Sequence, residues 1–187
     1  MALLYTANTS LDGYTVDSSG SFDFTVPSEE VHAFINDRQR PIGTYLYGRR
    51  MYETMRVWQE LPGDGDSEVV ADYAGIWQAA DKVVYSATLP EVGTPRTRLE
   101  RVFEPDAVRA LVDASDADVA VGGPTIAVAA FRAGLVAQVE LFVSPVSVGG
   151  GLPALPLGVR LELALRDQRV FENGTVYLRY DVSPPAA

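Results

Sequence analysis

Three times in its first 130 residues, an apolar stretch of strand length runs into glycine or small polar residues and then into a new element. Thr44 to Tyr47 ends at Gly48 before "RRMYETM", Val83 to Tyr85 delivers "SATLP", and "DVAV" meets "GGPT" before an Ala-rich helix. Such alternation restricts the chain to a sheet with parallel strands and helices on its faces. It also gathers the turn residues at the carboxyl ends of strands, where open α/β sheets bind ligands.

The intervening segments fit that frame. Residues Ala2 to Ala7 read as a buried strand, and "NTSLDGYTVDSSGS" reads as a turn-rich loop broken at Asp12-Gly13 and Ser19-Gly20. "VPSEEVHAFINDR" reads as a helix. Ser28 is its N-cap, Glu29 and Glu30 suit the positive end of the dipole, and Val31, Phe34, Ile35 and Arg38 form the inward stripe. The helix after Gly48 buries Met51, Met55 and Trp58, and further helices are expected over Val69 to Ala80, over Pro105 to Ala114, and from Pro124 to a stop at Gly134. The last third changes character: "QVELFVSPV" and "VRLELALRD" alternate, and "FENGTVYLRYDV" carries an Asn-Gly turn, which implies antiparallel pairing. The expected fold is α/β, with a mixed sheet wrapped by helices.

With 187 residues, 47% hydrophobic and 21% charged, the chain suits one domain over residues 1–183, and 184–187 read as a disordered tail. The formal charge of −10 disfavours nucleic acid and anionic lipid as partners of the whole surface. The absence of cysteine excludes disulfides, thiolate zinc sites and a cysteine nucleophile, and fits a reducing, cytoplasmic setting. The N-terminus lacks a basic leader and no segment approaches the length of a membrane span. A single histidine, His32, gives no pair for a metal and reads as a helix-face residue, so no metal site is expected.

Against this acidic background, Arg49 and Arg50 at the mouth of a helix need an explanation, because cations there oppose the dipole at a cost of about 0.3–1 kcal/mol each. A phosphate offsets that cost, since each charge-assisted hydrogen bond contributes about 1.5–3 kcal/mol. Gly48, Arg49 and Ser86 lie at the ends of different strands and suit a phosphate monoester. Gly122, Gly123, Pro124 and Thr125 let a backbone turn sharply into a helix start and suit a pyrophosphate. A ligand carrying both groups, long enough to stretch across a sheet, is NADPH.

"TANTSLDGY", "YGRRMYETM", "VVYSATL", "AVGGPTIAVAAFRAGLV", "VELFVSPVSVGGGLP" and "FENGTVYLRY", in this order over nearly the whole chain, resemble the dihydrofolate-reductase-like family that includes the C-terminal reductase domain of the riboflavin-pathway deaminase-reductase. The resemblance implies a mostly parallel sheet of about eight strands with an antiparallel C-terminal hairpin, NADPH laid across the sheet, and a homodimer. It carries Gly48, Arg49 and Arg50, with Met51 beside them, to the 2′-phosphate and pyrophosphate. Ser86, Ala87 and Thr88 match the adenosine-side loop, Gly122 to Thr125 the pyrophosphate turn, and Ala7 and Leu11, with Asp12, the segment beside the nicotinamide.

The carboxylate that orients substrate in dihydrofolate reductases aligns with Glu29 or with Glu30, depending on whether Pro27 or Phe34 anchors the match. Glu29, Glu30 and Asp12 are therefore the candidate proton donors, with Asp23, Phe24 and Tyr52 as candidates for substrate contact. The chain departs from the riboflavin reductases on the substrate side, where "GSFDF" and "GRRMYE" replace their Ser-Trp pair and Gly-Thr-Asp-Asp-Pro strand end. The expected activity is NADPH-dependent hydride transfer to a small heterocyclic or conjugated substrate, with the proton from a carboxyl group or water. Two alternatives stay open: a nucleotide-binding homodimer without dedicated catalysis, and a reductase using flavin or deazaflavin.

Overall fold

Parallel strands need cover on both faces, and the N-terminal strands are apolar on both. Leu3, Leu4, Tyr5, Tyr45, Leu46 and Tyr47 are each at most 5% exposed. The computed structural model describes residues 1–183, so the tail expected at 184–187 lies outside the described residues. In chain order the first half comprises β1 (Leu3–Ser10), β2 (Tyr14–Asp17), α1 (Glu29–Gln39), β3 (Ile42–Gly48), α2 (Arg49–Met55), α3 (Glu68–Ala79), β4 (Asp81–Tyr85) and β5 (Thr97–Glu100). The second half comprises α4 (Pro105–Ala114), β6 (Asp118–Gly122), α5 (Pro124–Arg132), β7 (Gln138–Ser144), β8 (Gly151–Pro153), β9 (Leu163–Val170) and β10 (Val176–Val182).

Eight strands form one sheet in the order β5-β4-β3-β6-β1-β7-β10-β9, while β2 and β8 form a separate antiparallel ribbon. All pairings from β5 to β7 are parallel, and β10 runs antiparallel to both β7 and β9. Antiparallel pairing, expected for the whole last third, therefore holds for one side of β7 only, since its other side pairs in parallel with β1. The alternation read in "VRLELALRD" becomes β9 only from Leu163 onward. The segment read as one long loop after Ala7 instead continues β1 to Ser10 and then forms β2, because its polar residues pair with β7 and β8 above the core.

On one face, α4 and α5 bury Val108, Ala127, Ala130 and Phe131 against Leu3, Tyr5, Leu46 and Val121. On the other, Tyr52, Tyr73 and Trp77 from α2 and α3 pack on Tyr45, Tyr47 and Val84. Helix α1 begins as its sequence dictates, with the Ser28 hydroxyl accepting from the Val31 N–H. Its tail is fixed by charge: Arg38 donates twice to Glu140 Oε1, at 2.6 and 3.1 Å, and the Tyr177 hydroxyl donates to the same oxygen at 3.0 Å. Glu140 is fully buried on β7, so this pair locks α1 over the β7–β10 side of the sheet. No helix among the described residues is long and apolar enough to cross a membrane.

The two glycines after β6 have different causes. Gly123 sits at φ +92°, a conformation that L side chains rarely adopt. Gly122 leaves room for a neighbour: a Cβ there would lie 2.5 Å from the Tyr47 ring, which is itself buried. Gly122→Ala should therefore destabilise the protein without any ligand, by about 1–3 kcal/mol from overpacking. Gly75→Ala, in α3 where an added Cβ meets nothing within 4 Å, should be neutral or stabilising by up to about 1 kcal/mol. Urea unfolding of the two variants checks the contrast, and equal stabilities would remove the packing account of Gly122.

Candidate functional site

Strand β3 sits between β4 and β6, with Gly48 level with Tyr85 on one side and Tyr47 level with Gly122 on the other. The turns after these three strands therefore emerge side by side, at the roughly 5 Å spacing of neighbouring strands. Residues 39 positions apart are joined there: Arg49 Nη1 donates to Thr88 Oγ1 at 3.4 Å. Arg49 Nε donates to Glu53 at 2.7 Å, one turn along α2, which steers the guanidinium toward the β4 turn. Arg50 is exposed beside it.

Ser86 caps its own turn, its hydroxyl accepting from the Thr88 and Leu89 N–H groups at 3.3 and 3.0 Å. Arg101, just past β5, braces the same turn by donating to the carbonyls of Leu89 (2.6 Å), Ser86 and Pro90 (both 3.3 Å). Arg101 was not a candidate from sequence, because β5 is only four residues long and leaves no periodic signal. At the third turn α5 starts without a side-chain cap, and Thr125 in its first turn is exposed. Met51 does not project into open space, since it packs against the glycine turn 3.0 Å from where a Gly123 Cβ would lie. Uncapped N–H groups, a glycine at positive φ and arginines across a narrow gap form a donor set that fits a nucleotide's phosphates.

The carboxyl ends of β1 and β7 carry the second half of the site. Leu11, 70% exposed, donates its N–H to Val146 O at 2.7 Å, which ties the two loops together. Asp12 completes the tie, accepting from the Ser147 hydroxyl (2.9 Å) and the N–H groups of Val148 (3.1 Å) and Gly149 (2.7 Å). The Ser10 hydroxyl first, and then these donors, hold its carboxyl well below the usual carboxylate range. Asp12 is thus an ionised clamp on the "SVGGG" loop and is not placed to release a proton near neutral pH.

Beside this clamp, under the 3-10 turn Asp23–Thr25, lies a crevice of about 10 Å³, room for a single water. Its polar wall is Asn8, Thr25, Ser144 and Thr175. Val26, Pro27, Val31 and Phe142 form the apolar wall. Asn8 Nδ2 donates to Thr25 O at 3.5 Å, a weak bond that closes the turn over the crevice. Asn8, Ser144 and Thr175 escaped the sequence reading because lone polar residues at strand ends carry no spacing signal.

None of the candidate proton donors is among the residues that line this crevice. Glu30 accepts from Arg169 Nη2 (2.8 Å) and the Glu172 N–H (3.4 Å), so it fastens α1 to the β9–β10 hairpin. Glu29 is exposed on the first turn, one step off the face that sends Val31 into the crevice wall. Tyr52 is 3% exposed, and its hydroxyl bonds Thr94 (3.1 Å) and accepts from the Gly93 N–H (3.1 Å), so it is engaged within the core. Asp23 and Phe24 belong to the covering turn, while Ala7 is buried in the core beneath. His32 packs against Trp58 and Tyr73, and burial lowers its pKa. A larger cleft of about 420 Å³ opens at the amino end of β3, but its charges are mutually satisfied: Arg40 grips Asp72 with two bonds of 3.0 and 3.1 Å.

Comparison with known proteins places this architecture. The chain is 25% identical over 174 residues to the uncharacterized protein YyaP of Bacillus subtilis strain 168, covering 91% of this chain and 89% of that one. A protein of Shewanella sp. PV-4 assigned to riboflavin biosynthesis superposes with a TM-score of 0.75 at 19% identity, over 98% of this chain and 99% of that one. A dihydrofolate reductase of Enterococcus faecalis, solved with NADP(H), superposes with a TM-score of 0.61 at 11% identity, over 97% and 96% of the two chains. The RibD C-terminal domain model matches residues 2–178, so the chain belongs to the RibD C-terminal domain family and has the dihydrofolate-reductase-like fold.

Proposed function

We propose that this chain is an NADPH-dependent reductase of the kind found in its family. The observation that carries the reading is the meeting of Arg49 and Thr88 beside the uncapped start of α5, a cationic and N–H-rich surface in a chain of net charge −10. When bound, the nicotinamide supplies the hydride. The chain's own part is binding, alignment and exclusion of water. Arg49 and the Ser86 turn hold the 2′-phosphate, Gly123 and the α5 N–H groups hold the pyrophosphate, and the Asp12 clamp fixes the loops that flank the nicotinamide end. Because no carboxylate lines the crevice among the described residues, water delivers the proton, positioned by the hydroxyls of Ser144 and Thr175.

We further propose a two-fold homodimer built on β9. This strand ends the sheet, so one edge of its backbone is unpaired, and Leu165 and Val170 are 53% and 66% exposed. Phe142 of β7 is only 2% exposed and takes no part.

Two measurements test these readings. Calorimetry should give NADPH an affinity about ten- to a hundredfold above NADH, the worth of one charge-assisted contact, and Arg49→Ala should remove most of that gap. Equal affinities for the two nucleotides would contradict the phosphate clamp. Light scattering should return twice the chain mass of 20.2 kDa, reduced to the single-chain value by Leu165→Arg, and a monomeric wild type would refute the dimer.

A further inference from the structure

The charges of this chain are sorted along its sheet. No Lys or Arg precedes Arg38, and none lies between Arg132 and Arg160. These two segments supply β1, the covering turn, the start of α1, β7 and the "SVGGG" loop, and so nearly all of the crevice wall. The same first stretch holds six acids, Asp12, Asp17, Asp23, Glu29, Glu30 and Asp37. Asp23 and Glu29 each stand two residues from a wall residue, Thr25 and Pro27 respectively.

Among the described residues, the arginines of α1 and β9 are already engaged in ion pairs, while Arg179 of β10 has none and its buried Nε lacks an acceptor. Arg169 is held by Glu30 at 2.8 Å and lies against the rings of Phe171 and Phe34, and Arg38 is held by buried Glu140. Arg49, Arg50 and Arg101 stand instead at the start of α2 and around the turn after β4. A phosphate is therefore welcome at the cofactor turns and opposed at the crevice, where an anion would meet acids at the rim and only neutral hydroxyl and amide groups within.

Resting on the reductase reading above, we infer that the acceptor is a compact, uncharged conjugated molecule, and that the crevice rejects phosphorylated or otherwise anionic ones. Asn8, Ser144 and Thr175 offer a hydrogen-bonding edge to a ring carbonyl or ring nitrogen, and Val26, Val31 and Phe142 cover its faces. Because the folded crevice holds about one water, binding a ring requires the Asp23–Thr25 turn to move off β1, to which it is tied by the 3.5 Å bond from Asn8. In the reaction the acceptor gains a hydride from the reduced nucleotide and a proton from water, which leaves the oxidised nucleotide and a two-electron-reduced acceptor.

Two quinones with the same ring system and different charge test this: menadione, which is neutral, and 1,4-naphthoquinone-2-sulfonate, which carries a fixed negative charge. The sulfonate withdraws electrons and is intrinsically the better hydride acceptor, so chemistry alone favours it. The charge map instead sets kcat/KM for menadione about tenfold or more above the sulfonate at low salt. That gap should shrink about threefold in roughly 0.5 M salt, where the Debye length is only a few ångströms, and likewise in an Asp23→Asn, Glu29→Gln double variant. Equal or better turnover of the sulfonate, or a gap indifferent to both salt and the variant, overturns the proposal. NADPH binding by calorimetry with no turnover of either quinone also overturns it while sparing the cofactor site, whereas no NADPH binding removes the reductase reading and this inference together.

Discussion

The missing side chain at Gly122 decides the geometry of this molecule. It lets the Tyr47 ring lie flat against the end of β6, and Tyr47 in turn stacks on Tyr45 with ring centroids 5.5 Å apart and planes nearly parallel. The parallel pairing of β3 with β4 and β6 brings the turns at Gly48, Ser86 and Gly122–Gly123 to one end of the sheet. Three turns that are distant in sequence thereby share one end of the sheet, and the proposed nucleotide site draws on their arginines and free N–H groups together. The glycine pair thus joins a packing requirement at Gly122 to a backbone requirement at Gly123.

A second constraint is the division of labour among ionisable groups. Two of the carboxylates that the sequence offers as candidates are committed to holding the fold together. Asp12 is pinned as an ionised clamp, Glu30 fastens a helix to a hairpin, and Glu140, absent from the candidate list, is buried to hold Arg38. Structural use of these groups leaves the crevice neutral. The hydride transfer proposed above would then rest on alignment and water rather than on a tuned carboxyl.

The sequence made the βα junctions, the five helices and the C-terminal hairpin legible because each rests on a local signal: a cap at Ser28, a breaker at Gly48 or Gly134, an Asn173-Gly174 turn. It missed β2, β5 and β8, which are three or four residues long and exist only because a partner strand accepts them. The turns proposed to face the phosphates stand out in the sequence through residue type, since arginines at a helix start and paired glycines are costly without a purpose. The crevice does not, because Asn8, Ser144 and Thr175 meet only when β1, β7 and the loop before β10 are brought together. Tyr52 misled for a related reason: its spacing on α2 does not reveal that the loop at Gly93–Thr94 folds back to receive its hydroxyl.

The central claim is that the nucleotide's phosphates bind at the carboxyl ends of β4, β3 and β6. Amide chemical shifts of the isotope-labelled protein, followed by NMR during titration with NADPH, test it residue by residue. The account predicts that the largest changes fall on Arg49, Arg50, Thr88, Leu89, Gly122, Gly123 and Thr125, with a second group at Leu11 and Val148 as the nicotinamide end settles. Changes confined to Ala71, Gly75 and Ala79, around the larger cleft at the opposite end of the sheet, would contradict it.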